Sequence, residues 1–302
     1  MAAAEDAARA RSERSTWLLS APALILLFAA ATGPLFIMLI YSFLEPGQYG
    51  NVIWKFSTKA WFNVILQEDI FDGTLSLADA HLTIFWRSVK LALGTTILAV
   101  LVGLPTAWFI ATRSPRMRML ALFLITIPFW TNLLVRTFAI EQIIRNEGLL
   151  NSFLIRIGAI ETPIQIIYSD VAVFIGMTYV YLPLMVLPLF AAIDRFDMRL
   201  LEAAYDLYAT RWTALRRIIL PIIKPGLIAG SILVFVPALG AYVTPRILGG
   251  GRNMMIGNFI SLQFGQGRNW PLGAALSVIL LVLVTTVLIV YVRFANRSQD
   301  NG

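Results

Sequence analysis

DMRLLEAAYDLYATRWTALRRIILP, residues 197–221, is a charged stretch set between two apolar runs, VAVFIGMTYVYLPLMVLPLFAAI (171–193) and PGLIAGSILVFVPALGAYVTP (225–245). Neither run holds a charge, and each is long enough to cross a hydrocarbon core of roughly 30 Å, which takes about 20 helical residues. The stretch between them is therefore a solvated connection between two membrane helices. Its own pattern is not that of a plain loop. Leu200, Leu201, Ala204, Leu207 and Tyr208 recur at helical spacing, giving an amphipathic helix that Asp197 can N-cap. Thr210 can cap a second short helix through Trp212 and Leu215 to Ile219, and Pro221 suits the first turn of the span that follows. A short helix–turn–helix at the membrane surface has the shape of a knob for an aqueous partner.

Working outward, four more uncharged runs occur at 17–44, 91–112, 119–135 and 269–292. The run at 119–135 is the shortest, and 137–140 extends it past Arg136, whose long side chain can snorkel to the headgroups. The chain has 302 residues, 58% hydrophobic and 14% charged, whereas soluble domains carry about 25% charged residues. The expected fold class is an all-α integral membrane protein with six transmembrane helices and a docking helix on one side. The first run is too long for a leader's apolar core, contains Pro22, Gly33 and Pro34, and lacks a following small-residue cleavage site. It reads as a retained span, kinked near Gly33–Pro34. The expected organisation is a tail (1–16), a first span (17–44), an external segment (45–82), a five-helix core (83–293) containing the docking segment, and a tail (294–302). The first ten and last six residues read as tails without regular structure.

Lys and Arg set the orientation. With the N-terminus inside, the inner segments hold Arg9, Arg11, Arg14, Arg113, Arg116, Arg118, Arg195, Arg199, Arg211, Arg216, Arg217, Lys224, Arg293 and Arg297, which are 14 of the 24 basic residues. Arg246, Arg252 and Arg268 in the last outer loop run against the rule. The outer segment 45–82 carries Glu45, Glu68, Asp69, Asp72 and Asp79, with Trp54, Trp61 and Phe62 as interfacial or packing aromatics. Residues 149–157 read as a short helix along the outer surface.

Several function classes drop out. There is no cysteine and one histidine, His81, so thiolate chemistry and a multi-histidine metal site are excluded. Basic residues lie in short groups between apolar runs, which excludes a nucleic-acid face. No nucleophile–base pair or carboxylate dyad is visible. The phosphate-cradling G-x-x-x-x-G-K-[ST] pattern is absent, so any ATP hydrolysis belongs to another chain. The six runs hold no Asp or Glu, which makes an ion-coupled carrier the weaker alternative.

The docking stretch also carries a family signature. The pattern E-A-A, three residues, G, nine residues, I-x-L-P marks membrane subunits of bacterial ABC importers. Glu202, Ala203, Ala204, Ile218, Leu220 and Pro221 stand at its positions, and Tyr208 stands where the family has glycine. Tyrosine favours helical or extended backbone, so the link between the two short helices is expected at Ala209–Thr210. The stretches PFWTNLLVRTFA (128–139), YVYLPLMVLPL (179–189), the run from Pro237 through GAYVTPRILGGG to Gly251, and MIGNFISLQFGQGRNWPLGAALS (255–277) look like the permease subunits of spermidine/putrescine importers. The likeness spans roughly two-thirds of the chain, about 85–291.

The resemblance implies the binding-protein-dependent importer permease fold in a bacterial inner membrane, both termini cytoplasmic. It implies a second homologous permease subunit, an ATPase dimer that binds ATP and Mg, and an external substrate-binding protein. This chain itself would be no enzyme and would hold no cofactor or metal. Glu202, Ala203, Ala204, Asp206, Leu207, Tyr208, Ala209, Ile218, Leu220 and Pro221 would form the coupling surface. The implied solute is a polyamine, with another small amine, an amino-acid derivative or an opine-like solute as the alternative. With no acid in the spans, aromatic faces are the remaining means of holding an amine, and Trp130, Tyr179, Tyr181 and Tyr242 are the candidates. Glu141 and Asp170, at outer helix ends, could draw a cation to the pore mouth. Pro183, Pro188, Pro237, Gly240 and Pro245 offer breaks for an alternating-access motion.

Overall fold

The computed structural model describes residues 2–47, 50–68, 75–251 and 253–299. Asp69, Asp72 and Arg252 lie outside them, as do the side chains of Arg9, Arg11, Arg14, Glu68 and Arg297. The chain divides into two compact units, one formed by Met1–Leu77 with Gln263–Leu281, the other by Ala78–Leu262 with Val282–Gly302.

In the first unit, α1 (Ala2–Tyr41) is one helix that runs through Pro22 and Pro34. The expected N-terminal tail is helical, because its Ala, Glu and Arg residues are strong helix formers that simply prolong the span. Two antiparallel hairpins follow: β1 (Leu44–Pro46) with β2 (Val52–Phe56), and, after α2 (Lys59–Ile65), β3 (Leu66–Glu68) with β4 (Leu75–Leu77). Strands of three to five residues are too short to show an alternating pattern, so the sequence offered no sign of them. Phe43 stacks on Phe56 at 5.8 Å and meets Trp61 at 5.5 Å, and Lys55 pairs with Glu45 at 3.3 Å.

The second unit is built on three long helices, α3 (Asp79–Ala111), α7 (Asp170–Asp194) and α10 (Leu220–Leu239). Leu189, Met185, Val186, Ala99, Ala107, Ile223 and Val234 are buried where they meet. Small residues set the approach, as is usual where lipid gives helices no hydrophobic reason to associate. A Cβ on Gly226 would sit 2.7 Å from the Pro188 carbonyl oxygen, and one on Gly103 would sit 2.8 Å from Met185 Cγ. α7 runs unbroken through Pro183 and Pro188, whereas α10 stops at Leu239, with Gly240 capping it.

Among the described residues, five helical segments are long and apolar enough to cross a membrane: Ser20–Tyr41, Asp79–Ala111, Asp170–Asp194, Arg211–Leu239 and Trp270–Val290. The last lies in α13 (Trp270–Gln299), which carries on through most of the expected C-terminal tail. The expected third span is not one helix but a bent pair. α4 (Pro115–Trp130) ends at Thr131, and α5 (Leu133–Ile144) opens the stretch Leu133–Arg156, which is bent by 100° from α4. The cause is local. Thr131 and Asn132 are extended, Thr131 Oγ1 donates back to the Pro128 carbonyl, and Asn132 caps the new helix by accepting from Leu134 N at 2.8 Å. Arg136 does not snorkel. It lies one turn into α5 and is only 9% exposed. The short helices α6 (Leu149–Arg156), α8 (Arg199–Asp206), α9 (Arg211–Ala214), α11 (Val243–Leu248) and α12 (Ile256–Phe264) complete the chain, α6 being the helix expected near 149–157.

Candidate functional site

The segment after α7 forms the expected helix–turn–helix. Thr210 caps α9 as expected, its Oγ1 accepting from Thr213 N at 3.2 Å, whereas α8 is capped by Met198 without a side-chain bond, and Asp197 Oδ1, one residue earlier, accepts from Arg199 N at 3.0 Å. α8 buries Leu201 and Ala204 against the rest of the chain, while Glu202, Ala203 and Asp206 face out. Leu200, Leu207 and Tyr208 are exposed, so the buried stripe is narrower than the apolar spacing implied. Ala209, Ile218 and Leu220 are half-buried and Pro221 is exposed at the start of α10.

The turn differs from expectation. Tyr208 itself takes the left-handed conformation, φ +58°. Its N–H donates to Tyr205 O at 2.9 Å and Ala209 N–H donates to Ala204 O at 3.0 Å, which is the Schellman closure of a helix C-terminus. Closing α8 this way satisfies two carbonyls that would otherwise lack partners, at a local cost of about 1–2 kcal/mol that glycine would avoid. The ring contributes nothing in return within the chain, since Tyr208 is 96% exposed and Leu207 beside it 82%.

Both ends of the segment are tied to the long helices. At the α7 end, Asp194 is ion-paired with Arg118 in the first turn of α4, and the Arg118 guanidinium lies 4.7 Å from the Phe190 ring centroid. Two residues on, Phe196 is buried and meets Trp108 of α3 edge-on at 6.3 Å. At the other end, Leu215–Ile219 forms a π-turn in which Leu220 N–H donates to Leu215 O, and Ala214 and Ile219 join the core. π-turns are costly local irregularities, found frequently at working positions.

The candidate pathway residues are spread out. Trp130 is exposed at the end of α4, Tyr179 is on the edge of exposure on α7, and no ring contact joins any two of Trp130, Tyr179, Tyr181 and Tyr242 among the described residues. Tyr181 OH donates to Pro237 O at 3.2 Å, linking α7 to the last turn of α10. Tyr242 lies past the end of α10. Ser261 and then Arg246 hydrogen-bond its phenol and hold it below the usual tyrosine range, and Arg246 also lies over its ring at 5.5 Å. Glu141 is half-buried on α5.

Asp170 is not a free charge. Arg87 of α3 donates to Asp170 Oδ1 and, at 2.7 Å, to Asn253 Oδ1, and Asn253 Nδ2 donates to Tyr168 O at 2.9 Å. The neighbouring loop is fixed as firmly. Buried Ser88 Oγ accepts from Ile256 N at 2.7 Å, and Asn258 Nδ2 donates to Tyr242 O at 2.7 Å. This network carried no sequence signal, because its members are up to 168 residues apart. Arg136 was visible in the sequence but misplaced. Its Nε and Nη1 are buried and have no hydrogen-bond partner among the described residues.

The family model for the binding-protein-dependent transport system inner membrane component matches residues 99–300. The spermidine/putrescine transport system permease protein PotB of Escherichia coli is 41% identical over 220 residues, covering 73% of this chain and 80% of that protein. PotB of Haemophilus influenzae is 42% identical over 214 residues, covering 71% and 74%. Among solved structures, a chain of a bacterial ABC transporter that imports the acidic polysaccharide alginate superposes with a TM-score of 0.66 at 17% identity, covering 95% of this chain and 98% of that one. The fold is shared at that distance, and the spermidine/putrescine permeases share the sequence as well. The chain belongs to the family of binding-protein-dependent transport system inner membrane components, the multi-pass permease subunits of ABC importers.

Proposed function

We propose that this permease carries a polyamine, delivered by an external binding protein, across the bacterial inner membrane with a second permease and an ATPase dimer as partners. The observation that carries the coupling part of this reading is the exposed face of α8. It presents Glu202, Ala203 and Asp206 on a segment braced at both ends against the long helices. The termini are cytoplasmic in this scheme, and ATP and Mg are held by the ATPase. Closure of the ATPase dimer pulls the coupling segments and opens the pathway outward, and hydrolysis reverses the motion. The polyamine assignment is supported by the spermidine/putrescine relatives. With Asp170 paired to Arg87, capture of the cation falls to Glu141 and the aromatic faces, each such face contributing about 0.5–2 kcal/mol.

One observation favours a second reading for the solute. Arg136 is a buried guanidinium, and two of its nitrogens lack partners among the described residues. A fixed cation there opposes a polyamine and suits a solute bearing a carboxylate, such as an amino-acid derivative or opine-like compound. The decisive measurement is solute-stimulated ATP hydrolysis by the reconstituted complex with its binding protein. Spermidine or putrescine is expected to stimulate it, in the parent and in Arg136→Met alike. Stimulation by carboxylate-bearing solutes alone, lost in Arg136→Met, would replace the polyamine reading with the second one.

A further inference from the structure

We propose that the Tyr208 ring is the anchor by which this permease recognises its own ATPase subunit, by insertion into an apolar pocket on that protein. The proposal rests on the docking reading above. Tyr208 lies in the turn between α8 and α9 in a left-handed conformation that glycine would adopt without strain. Its side chain is 96% exposed, and among the described residues no hydrogen bond, ion pair or ring contact engages it. The ring therefore does nothing for the fold of this chain, while its Cβ makes the turn harder to form. Its use lies outside the chain.

The surroundings specify the occupant. Leu207, at the end of α8, and Trp212, in α9, are exposed as well, so the segment offers more than one apolar side chain. Hydrocarbon is a poor cover, because exposed Asp206 and Arg211 bracket the same turn and would have to be desolvated. An aqueous protein surface with one apolar pocket and a polar rim accommodates all of them. Glu202 and Asp206, four residues apart on α8, are both exposed, so a basic rim beside the pocket would complement them. Tyrosine in a closed pocket is a common source of binding energy, and a permease with glycine here has no ring to offer. The same ring thus separates ATPases that have the pocket from those that do not.

The test uses the permease pair reconstituted in nanodiscs, with binding of the purified ATPase subunit as the readout. Tyr208→Phe keeps the ring, Tyr208→Ala removes it and keeps the strain, and Tyr208→Gly removes both. We expect Tyr208→Phe to bind within about twofold of the parent, and Tyr208→Ala and Tyr208→Gly to bind about tenfold more weakly. Tyr208→Gly should also raise the melting temperature of the permease, which Tyr208→Ala should not. Parent-like binding by Tyr208→Ala and Tyr208→Gly would overturn the anchor and leave the ring to lipid headgroups. Glu202→Lys separates the two levels. If it weakens binding while Tyr208→Ala does not, only the anchor is wrong. If neither changes binding, the docking reading fails with it.

Discussion

At the scale of single residues, the two alanines of the E-A-A triplet are not equivalent, although the sequence treats them alike. Ala203 faces out and is available to a partner, whereas Ala204 is 7% exposed and packs inside the chain. Ala203→Trp and Glu202→Lys should abolish uptake while the permease accumulates and melts as the parent does. Ala204→Trp should instead lower the melting temperature and the amount of inserted protein, because forcing extra bulk into a packed contact costs about 1–3 kcal/mol. Thermal unfolding in detergent beside uptake in cells checks this, and a stable, fully active Ala204→Trp permease would refute the inward placement of that residue. The docking segment was legible as a motif because its matches lie within twenty residues. The direction of each side chain was not, since Leu207 and Tyr208 continue the helical spacing of Leu201 and Ala204 past the point where the helix stops. The left-handed Tyr208 was illegible for a related reason. Propensity argues against it, and closure of α8 overrides propensity.

At the scale of elements, the long spans could be read directly because twenty uncharged residues have few other uses. The third span departs from the sequence expectation in its second half. The run of apolar letters continues from α4 into α5, so hydropathy sees one helix where Thr131 and Asn132 make two. Both local signals were present, a proline at 128 and a good N-cap at 132, but neither outweighs hydropathy in a sequence reading. α4 alone is about 24 Å long, short of the hydrocarbon core, and its first turn is where the coupling segment takes hold through Arg118 and Asp194. Such a half-exposed pair contributes only about 0–1 kcal/mol to stability, so its loss should leave the fold intact. It does connect the segment proposed to dock on the ATPase to the helix that ends at the 100° bend. Arg118→Asp should therefore reduce uptake several-fold with ATPase binding unchanged, and the exchange Arg118→Asp with Asp194→Arg should recover part of it. Equal loss in the single and the exchanged variant would show that the pair is not the link.

At the scale of the whole molecule, the bent pair decides the topology of everything after it. If α4 and the helices that follow cross the membrane, the chain crosses six times, and the basic inner segments and the coupling segment share one side. If the pair turns back, there are five crossings, and the coupling segment would emerge on the side opposite the loop after α3. The arginines favour crossing. Arg113 and Arg116 before the break are exposed, as are Arg195, Arg199, Arg211, Arg216 and Arg217 around the coupling segment, and lysine and arginine collect on the cytoplasmic side. The chain has no native cysteine, so single cysteines read the topology without background. The placement of the probes follows from burial. Ser57 would be the obvious outer site, but it is buried, with its hydroxyl accepting from Lys59 N, whereas Thr58 beside it is exposed. Thr162, between α6 and α7, and Ser114, between α3 and α4, are exposed too. In intact cells with the outer layers made permeable, Thr58→Cys and Thr162→Cys should react with an impermeant thiol reagent and Ser114→Cys should be protected until the membrane is disrupted. The Thr162→Cys result carries the decision. Protection there, with Thr58→Cys labelled, would mean that the bent pair re-enters on the cytoplasmic side. The segment bearing Glu202 would then lie outside, away from any ATPase.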